Sequence, residues 1–147
     1  MTENLAAFLK DYSLVISQDV TWGDMDAFGH INNTVYFRYF ENVRMAFFEK
    51  TQVNKHKTNT QLGPILASTQ CQFRTPLTFP DHIHIATRIA DLDKLNSTEK
   101  LFTMEYAVYS ESQDCIAALG EGLIVYYDYQ QGKSCTVPEN IISEFKC

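Results

Sequence analysis

NTVYFRYFENVRMAFFEK, residues 33–50, is the stretch that decides the fold. Tyr36, Phe37, Tyr39, Phe40, Val43, Ala46 and Phe47 recur at helical spacing, while Arg38, Glu41, Asn42 and Glu49 keep to a narrower polar stripe. A helix apolar over so wide an arc is buried on most of its sides. Asn32 or Asn33 can cap its start, and it runs to about Lys50. Upstream, Gly23 to Asn33 is a turn-rich loop. Before that loop, Leu14 to Trp22 alternates, with Leu14, Ile16, Val20 and Trp22 on one side and Ser17, Asp19 and Thr21 on the other, as a half-buried strand does. Thr2 to Tyr12 spaces Leu5, Phe8, Leu9 and Tyr12 as a short amphipathic helix behind a threonine cap.

Downstream, Gln52 to Gly63 is a polar connection. Four strand-like segments follow: Pro64 to Arg74, His82 to Leu92, Leu101 to Ser110 and Ile116 to Tyr129. Lys94 to Ser97 forms a hairpin loop between the second and third of them. Short connections make the last strands antiparallel. The order strand, long helix, four strands predicts an α+β fold, a five-stranded antiparallel sheet wrapped around one long central helix. Gly120 and Gly122 fall on one face of the last strand, where bare backbone suits close approach of that helix. An exposed edge strand in such a sheet invites pairing with a second copy.

The composition agrees with a single domain over 1–147. The chain has 147 residues, 45% of them hydrophobic, with ten Phe, eight Tyr and one Trp, enough for a packed core and too few for a separate cofactor domain. Its formal net charge of −6 leaves no electrostatic footprint for nucleic acid. No apolar run is long enough to span a membrane, and no basic segment followed by an apolar one opens the chain. Cys71, Cys115, Cys135 and Cys147 are scattered, with no C-x-x-C pair, so reduced thiols and a cytoplasmic location are expected. His82 and His84 are two apart on one strand, but no third ligand is evident in the sequence. Strand-surface histidines are expected there, and no metal.

The densest polar cluster is Asp24 to Asn33, between a strand and the long helix. Free N–H groups at a helix start polarise a carbonyl, and a carboxylate just upstream can face the same point. Acyl transfer needs that pair. The alternative makes Asp24 and Asp26 loop-forming residues and Asn33 a plain cap. Spacing alone leaves both readings open.

VTWGDMDAFGHINNTVYFRYFENVR, residues 20–44, resembles the opening motif of the hot-dog thioesterases of the 4-hydroxybenzoyl-CoA thioesterase type. FRTPLTFPDHIHIATRI, LNSTEKLFTMEYAVY and ALGEGLIVYYDYQQGKSCTVPENI extend the resemblance over nearly the whole chain. It implies a hot-dog fold and an acyl-CoA thioesterase needing no cofactor. It also implies a homodimer or homotetramer, with the pocket between paired subunits. Asp26 takes the position of the catalytic carboxylate, as nucleophile or as a base activating water. Asn33 takes the position whose N–H polarises the thioester carbonyl, and Gly29 allows a tight turn. His30 would touch the thioester or shape the loop, and Glu41 would form a salt bridge or subunit contact. Lys94, Asn96 and Ser97 resemble the loop that meets the nucleotide of coenzyme A, with Arg74 and Arg88 as further candidates. Phe28, Tyr36 and Phe40 would line the acyl tail. Ala-Phe-Gly-His-Ile-Asn-Asn replaces the Pro-Ala-Gly stretch of the benzoyl-specific members, which argues against 4-hydroxybenzoyl-CoA as substrate. Two alternatives remain: an acyl-ACP thioesterase or other hot-dog enzyme, and a non-catalytic acyl-CoA-binding module.

Overall fold

A computed structural model describes residues 1–147. The helix over the deciding stretch is α2, Asn33–Lys50, preceded by α1, Glu3–Asp11, and β1, Leu14–Asp19. After it come α3, Val53–Thr60, and β2, Leu62–Phe73. Then follow β3, His82–Ile89, β4, Leu101–Ser110, β5, Cys115–Asp128, the two-residue β6, Lys133–Ser134, and α4, Glu139–Phe145. The strands run β1-β3-β4-β5-β2, all antiparallel, with β6 pairing only the end of β5.

The sheet curls around α2, as the breadth of its apolar arc predicts. Tyr36, Tyr39, Phe40, Val43, Phe47 and Phe48 are buried with Ile83 and Ile85 of β3, Met104 of β4 and Ile124 of β5. The outer face is covered locally by α1. Leu5 and Phe8 pack there on Ala86, Ala107 and Tyr109. Thr2 caps α1 by accepting from the Leu5 N–H at 3.1 Å.

Gly120 is required by this packing. A Cβ there would lie 2.3 Å from Cε2 of Phe40, so α2 sits against bare strand backbone. Gly122 differs: its neighbours are the Tyr106 hydroxyl and Leu66, not the helix. Arg44, in the same helix, is buried. Its guanidinium donates to the Tyr106 hydroxyl at 3.1 Å.

Three expectations need correction. The strand from Leu14 ends at Asp19, because the chain turns into a short 3-10 helix at Trp22–Asp24, and Trp22 is 69% exposed. The polar connection contains α3, a helix with one buried anchor, Val53, bounded by Gln52 and Gln61 in left-handed conformation. Its Thr58 and Thr60 hydroxyls donate to carbonyls one turn back, at Asn54 and His56. The tail forms α4, whose Ile141, Ile142 and Phe145 join the core, with Phe145 against Phe47 and Phe102.

Candidate active site

The loop between β1 and α2 folds back on itself. Asn32 N–H donates to the Asp24 carbonyl at 2.9 Å and Asp26 N–H to the His30 carbonyl at 2.8 Å. Met25 and Ile31 form an antiparallel bridge. The tip is a turn from Asp26 to Gly29, closed by Gly29 N–H on the Asp26 carbonyl at 3.1 Å. Gly29 adopts φ +80, a value L side chains rarely take.

Asp26 serves this loop with one oxygen. Its Oδ1 accepts from the Phe28 N–H at 2.9 Å and the His30 N–H at 3.4 Å, the aspartate turn expected of a loop-forming residue. No hydrogen bond within the chain reaches Oδ2, so one carboxylate oxygen is held by the loop and the other is not.

The start of α2 stands opposite. Asn32 is the cap, its Oδ1 accepting from the Thr34 N–H at 3.0 Å. The Asn33 N–H lies ahead of the helical ladder with no partner in the chain, at the positive end of the helix dipole. Asp26, Asn33 and Tyr36 line one open cleft of about 230 Å³ with Ile31, Phe73, Arg74, Thr75 and Pro76. Tyr36 and Phe73 meet edge-on at 5.0 Å, giving the cleft an aromatic wall. Burial raises the Tyr36 hydroxyl above its ordinary pKa, so it stays protonated. Cys71 sits nearby, but burial pushes its thiol up to about 11, which keeps it from acting as a nucleophile at neutral pH.

Other candidates lie elsewhere. Phe28 projects from the loop, 86% exposed, and Phe40 is enclosed by Gly120 and Tyr106, outside the cleft. The His30 ring is exposed and makes no hydrogen bond; the residue shapes the loop through its backbone. Glu41 pairs with Arg38 at 2.9 Å on the surface. Lys94, Asn96 and Ser97 follow β3, at its far end from the Asp26 loop, roughly 25 Å away at the usual strand rise. Arg88 is tied to Glu105 at 3.0 Å and to the Asp11 carbonyl. Arg74 is the basic residue the fold brings to Asp26, and its place at the end of β2, beside Pro76, was not signalled by local spacing.

His82 and His84 have a third neighbour. The β4–β5 turn brings Glu111 to them, with its Oε2 2.9 Å from Nε2 of His84. Sequence reading missed it because it lies far along the chain and adjoins β3 only through the β3–β4 register, Ile83 against Ser110.

A family profile described as the thioesterase-like superfamily matches residues 20–145. The chain belongs to this superfamily. Two curated relatives match. YsmA of Bacillus subtilis, an uncharacterized protein, is 37% identical over 62 residues, 42% of this chain and 41% of that one. A putative esterase of Aquifex aeolicus is 23% identical over 128 residues, 86% of this chain and 93% of that one. Among solved structures, the gentisyl-coenzyme A thioesterase BH1999 superposes with a TM-score of 0.73 at 23% identity, covering 90% of this chain and 99% of that one. The hot-dog fold is thus shared with a solved thioesterase. No helix of the chain is long and apolar enough to cross a membrane.

Proposed function

We propose that the protein hydrolyses an acyl-CoA thioester to a free carboxylic acid and coenzyme A. One observation carries this reading: Asp26, whose Oδ2 takes no hydrogen bond within the chain, and Asn33, the first residue of α2, line the same cleft. The thioester carbonyl oxygen accepts from the Asn33 N–H, which stabilises the oxyanion as it develops. Asp26 acts on the carbonyl carbon from the other side. It either attacks through Oδ2, giving an acyl-enzyme anhydride, or takes a proton from water that attacks instead. In both routes a C–O bond forms, the C–S bond breaks and the thiolate leaves, taking up a proton as coenzyme A; in the first route water then cleaves the anhydride, releasing the acid and restoring the Asp26 carboxylate. Tyr36 and Phe73 offer the acyl group an apolar wall, and Arg74 offers a cation to the polar part of the substrate.

The distant Lys94 loop fits this reading through a second copy. β2 is an edge strand of 12 residues, exposed from Leu66 through Gln70. Two β2 strands related by a two-fold axis run antiparallel. The Lys94 end of one sheet then approaches the Asp26 end of the other, where Lys94, Asn96 and Ser97 can meet the nucleotide phosphates. The working unit in this reading is at least a homodimer. The four unpaired thiols support a reducing, cytoplasmic setting.

The test is thiol release from a panel of acyl-CoA chain lengths, with acyl-ACP carrying the same acyl groups as the comparison. Asp26→Ala should lower kcat by orders of magnitude with fold and assembly intact, and full activity in that variant would overturn the assignment. Single turnover in ¹⁸O water tests the anhydride route: label in the Asp26 carboxylate shows that the anhydride formed and that water opened it at the Asp26 carbonyl.

A further inference from the structure

We propose that His82, His84 and Glu111 form a binding site for a divalent transition-metal ion of the zinc class, on the face of the sheet away from α2. One donor atom from each of the three residues lies within 4.8 Å of the others. Two imidazoles and a carboxylate form a donor set that zinc takes, leaving one tetrahedral position for water, and imidazole nitrogens suit such divalent ions generally.

The surroundings are those of ligating histidines. The Nδ1 atom of His82 lies 2.7 Å from Oδ1 of Asp19, and the Nδ1 atom of His84 lies 2.7 Å from Oγ of Ser17. A metal-bound histidine commonly gives its second ring N–H to such an acceptor, which fixes the ring and its tautomer. With both Nδ1 atoms held by β1, the two Nε2 atoms are the ones left to ligate. Nε2 of His84 already meets Glu111 at 2.9 Å. A metal ion takes the place of that shared proton, and the His84 proton moves to Nδ1, facing Ser17.

The backbone that carries the third ligand is held in place. Glu111 N–H donates to the His82 carbonyl at 3.0 Å. The turn that carries Glu111 is pinned by buried Asp81, which accepts from the Ser110 hydroxyl at 2.5 Å and from the Ser112 N–H at 3.0 Å. At zinc bond lengths of about 2.1 Å, tetrahedral donor atoms sit roughly 3.4 Å apart. The widest gap, at most 4.8 Å, has to close by up to roughly 1.4 Å to reach that spacing. His82 and Glu111 have the room, with 42% and 52% of their side chains exposed. Their mouth opens into a cleft of about 530 Å³ that gives a hydrated ion its entry path. Asp19 and Glu111 add negative charge to it. The site ties β1, β3 and the β4–β5 turn together.

The experiment is calorimetric titration of the untagged protein with Zn²⁺, repeated with Co²⁺ by visible absorption. One ion should bind per chain. His82→Ala and Glu111→Gln, both at partly exposed positions, should each weaken binding by more than about 100-fold. Asp19→Asn, which disturbs only the supporting contact, should weaken it by about 10- to 100-fold. His56→Ala, remote from the cluster, should leave the titration unchanged. Saturating Zn²⁺ should raise the melting temperature of the wild type and not that of Glu111→Gln. Absence of binding, or binding that survives both His82→Ala and Glu111→Gln in proteins with wild-type circular dichroism, overturns the proposal.

Discussion

Gly120→Ala tests how the central helix is seated. The added Cβ would stand 2.3 Å from Cε2 and 2.6 Å from Cζ of Phe40, and 3.0 Å from the Gln70 carbonyl oxygen. Ordinary contact begins near 3.4 Å, so the Phe40 ring would have to retreat by about 1.1 Å, the difference between 3.4 and 2.3 Å. It has nowhere to go. Phe40 is 1% exposed and stacks on Tyr106 at 4.9 Å, and Tyr106 is itself held by Arg44. Overpacking of this kind costs about 1–3 kcal/mol. The rigid surroundings put the expected loss at about 2 kcal/mol, or a melting temperature lower by roughly 4–8 °C for a chain of this size. Urea unfolding reads it as a lower midpoint with an unchanged slope. The cause is isolated by adding Phe40→Leu, which removes the clashing ring. The double variant should be more stable than the sum of the two single changes by at least about 1 kcal/mol. A Gly120→Ala midpoint equal to wild type, or strictly additive single and double variants, refutes the account. On the proposed mechanism the same substitution also slows turnover. Phe40 lies seven residues from Asn33, and a helix pushed off the sheet carries the Asn33 N–H away from Asp26.

The other predictions concern separate regions. Tyr106→Phe removes the acceptor of the buried Arg44 guanidinium and should cost about 1.5–3 kcal/mol in denaturant unfolding. Arg44→Met in that background should recover part of the loss, since a buried charge no longer lacks a partner. Asp114 accepts from the Thr2 hydroxyl at 2.6 Å, from the Tyr109 hydroxyl and from the Asn4 amide. The first two hydrogen bonds are the main causes that hold its carboxyl below the usual aspartate pKa. Its contribution is therefore present above the unfolded value of about 3.9 and lost as pH falls through the lower folded value. Asp114→Asn, which tolerates the left-handed backbone at this position, should speed amide exchange in α1 at neutral pH and flatten the acid dependence that the wild type shows below about pH 4.

The sequence disclosed those parts of the fold that depend on local periodicity. The breadth of the apolar arc in α2, the Thr2 cap and the alternation in β4 each carry their signal within a few residues. Elements stabilised by tertiary anchoring were harder. The α3 helix has one buried residue, Val53, among Thr, Asn and Lys, which carry no amphipathic stripe. The α4 helix did carry a signal, Pro138 followed by Ile141, Ile142 and Phe145 at helical spacing, but its brevity concealed it. Trp22 misled because alternation continues in the letters beyond Asp19, while the backbone has already turned.

The two polar sites show why distance along the chain matters more than chemistry. Asp26 and Asn33 are seven residues apart, and a single loop with one left-handed glycine brings them to one cleft; spacing alone left their pairing open, and the family resemblance favoured it. Arg74 joins them only because β2 ends beside that loop. Glu111 joins His82 and His84 only because β3 and β4 pair with Ile83 against Ser110. Given that one register, the rest follows from strand geometry. His82 and His84 point to the same face, and the residue after Ser110 leaves β4 beside them. A cluster of this kind is encoded in the turn between two strands, held here by the hydrogen bonds of Asp81 to Ser110 and Ser112. Asp81→Ala is thus the substitution that separates register from ligand chemistry. It removes no proposed ligand, yet it frees the turn. It should weaken Zn²⁺ binding through Glu111 while leaving the Asp19–His82 contact in place, whereas a cluster formed by chance proximity of surface side chains would be indifferent to it.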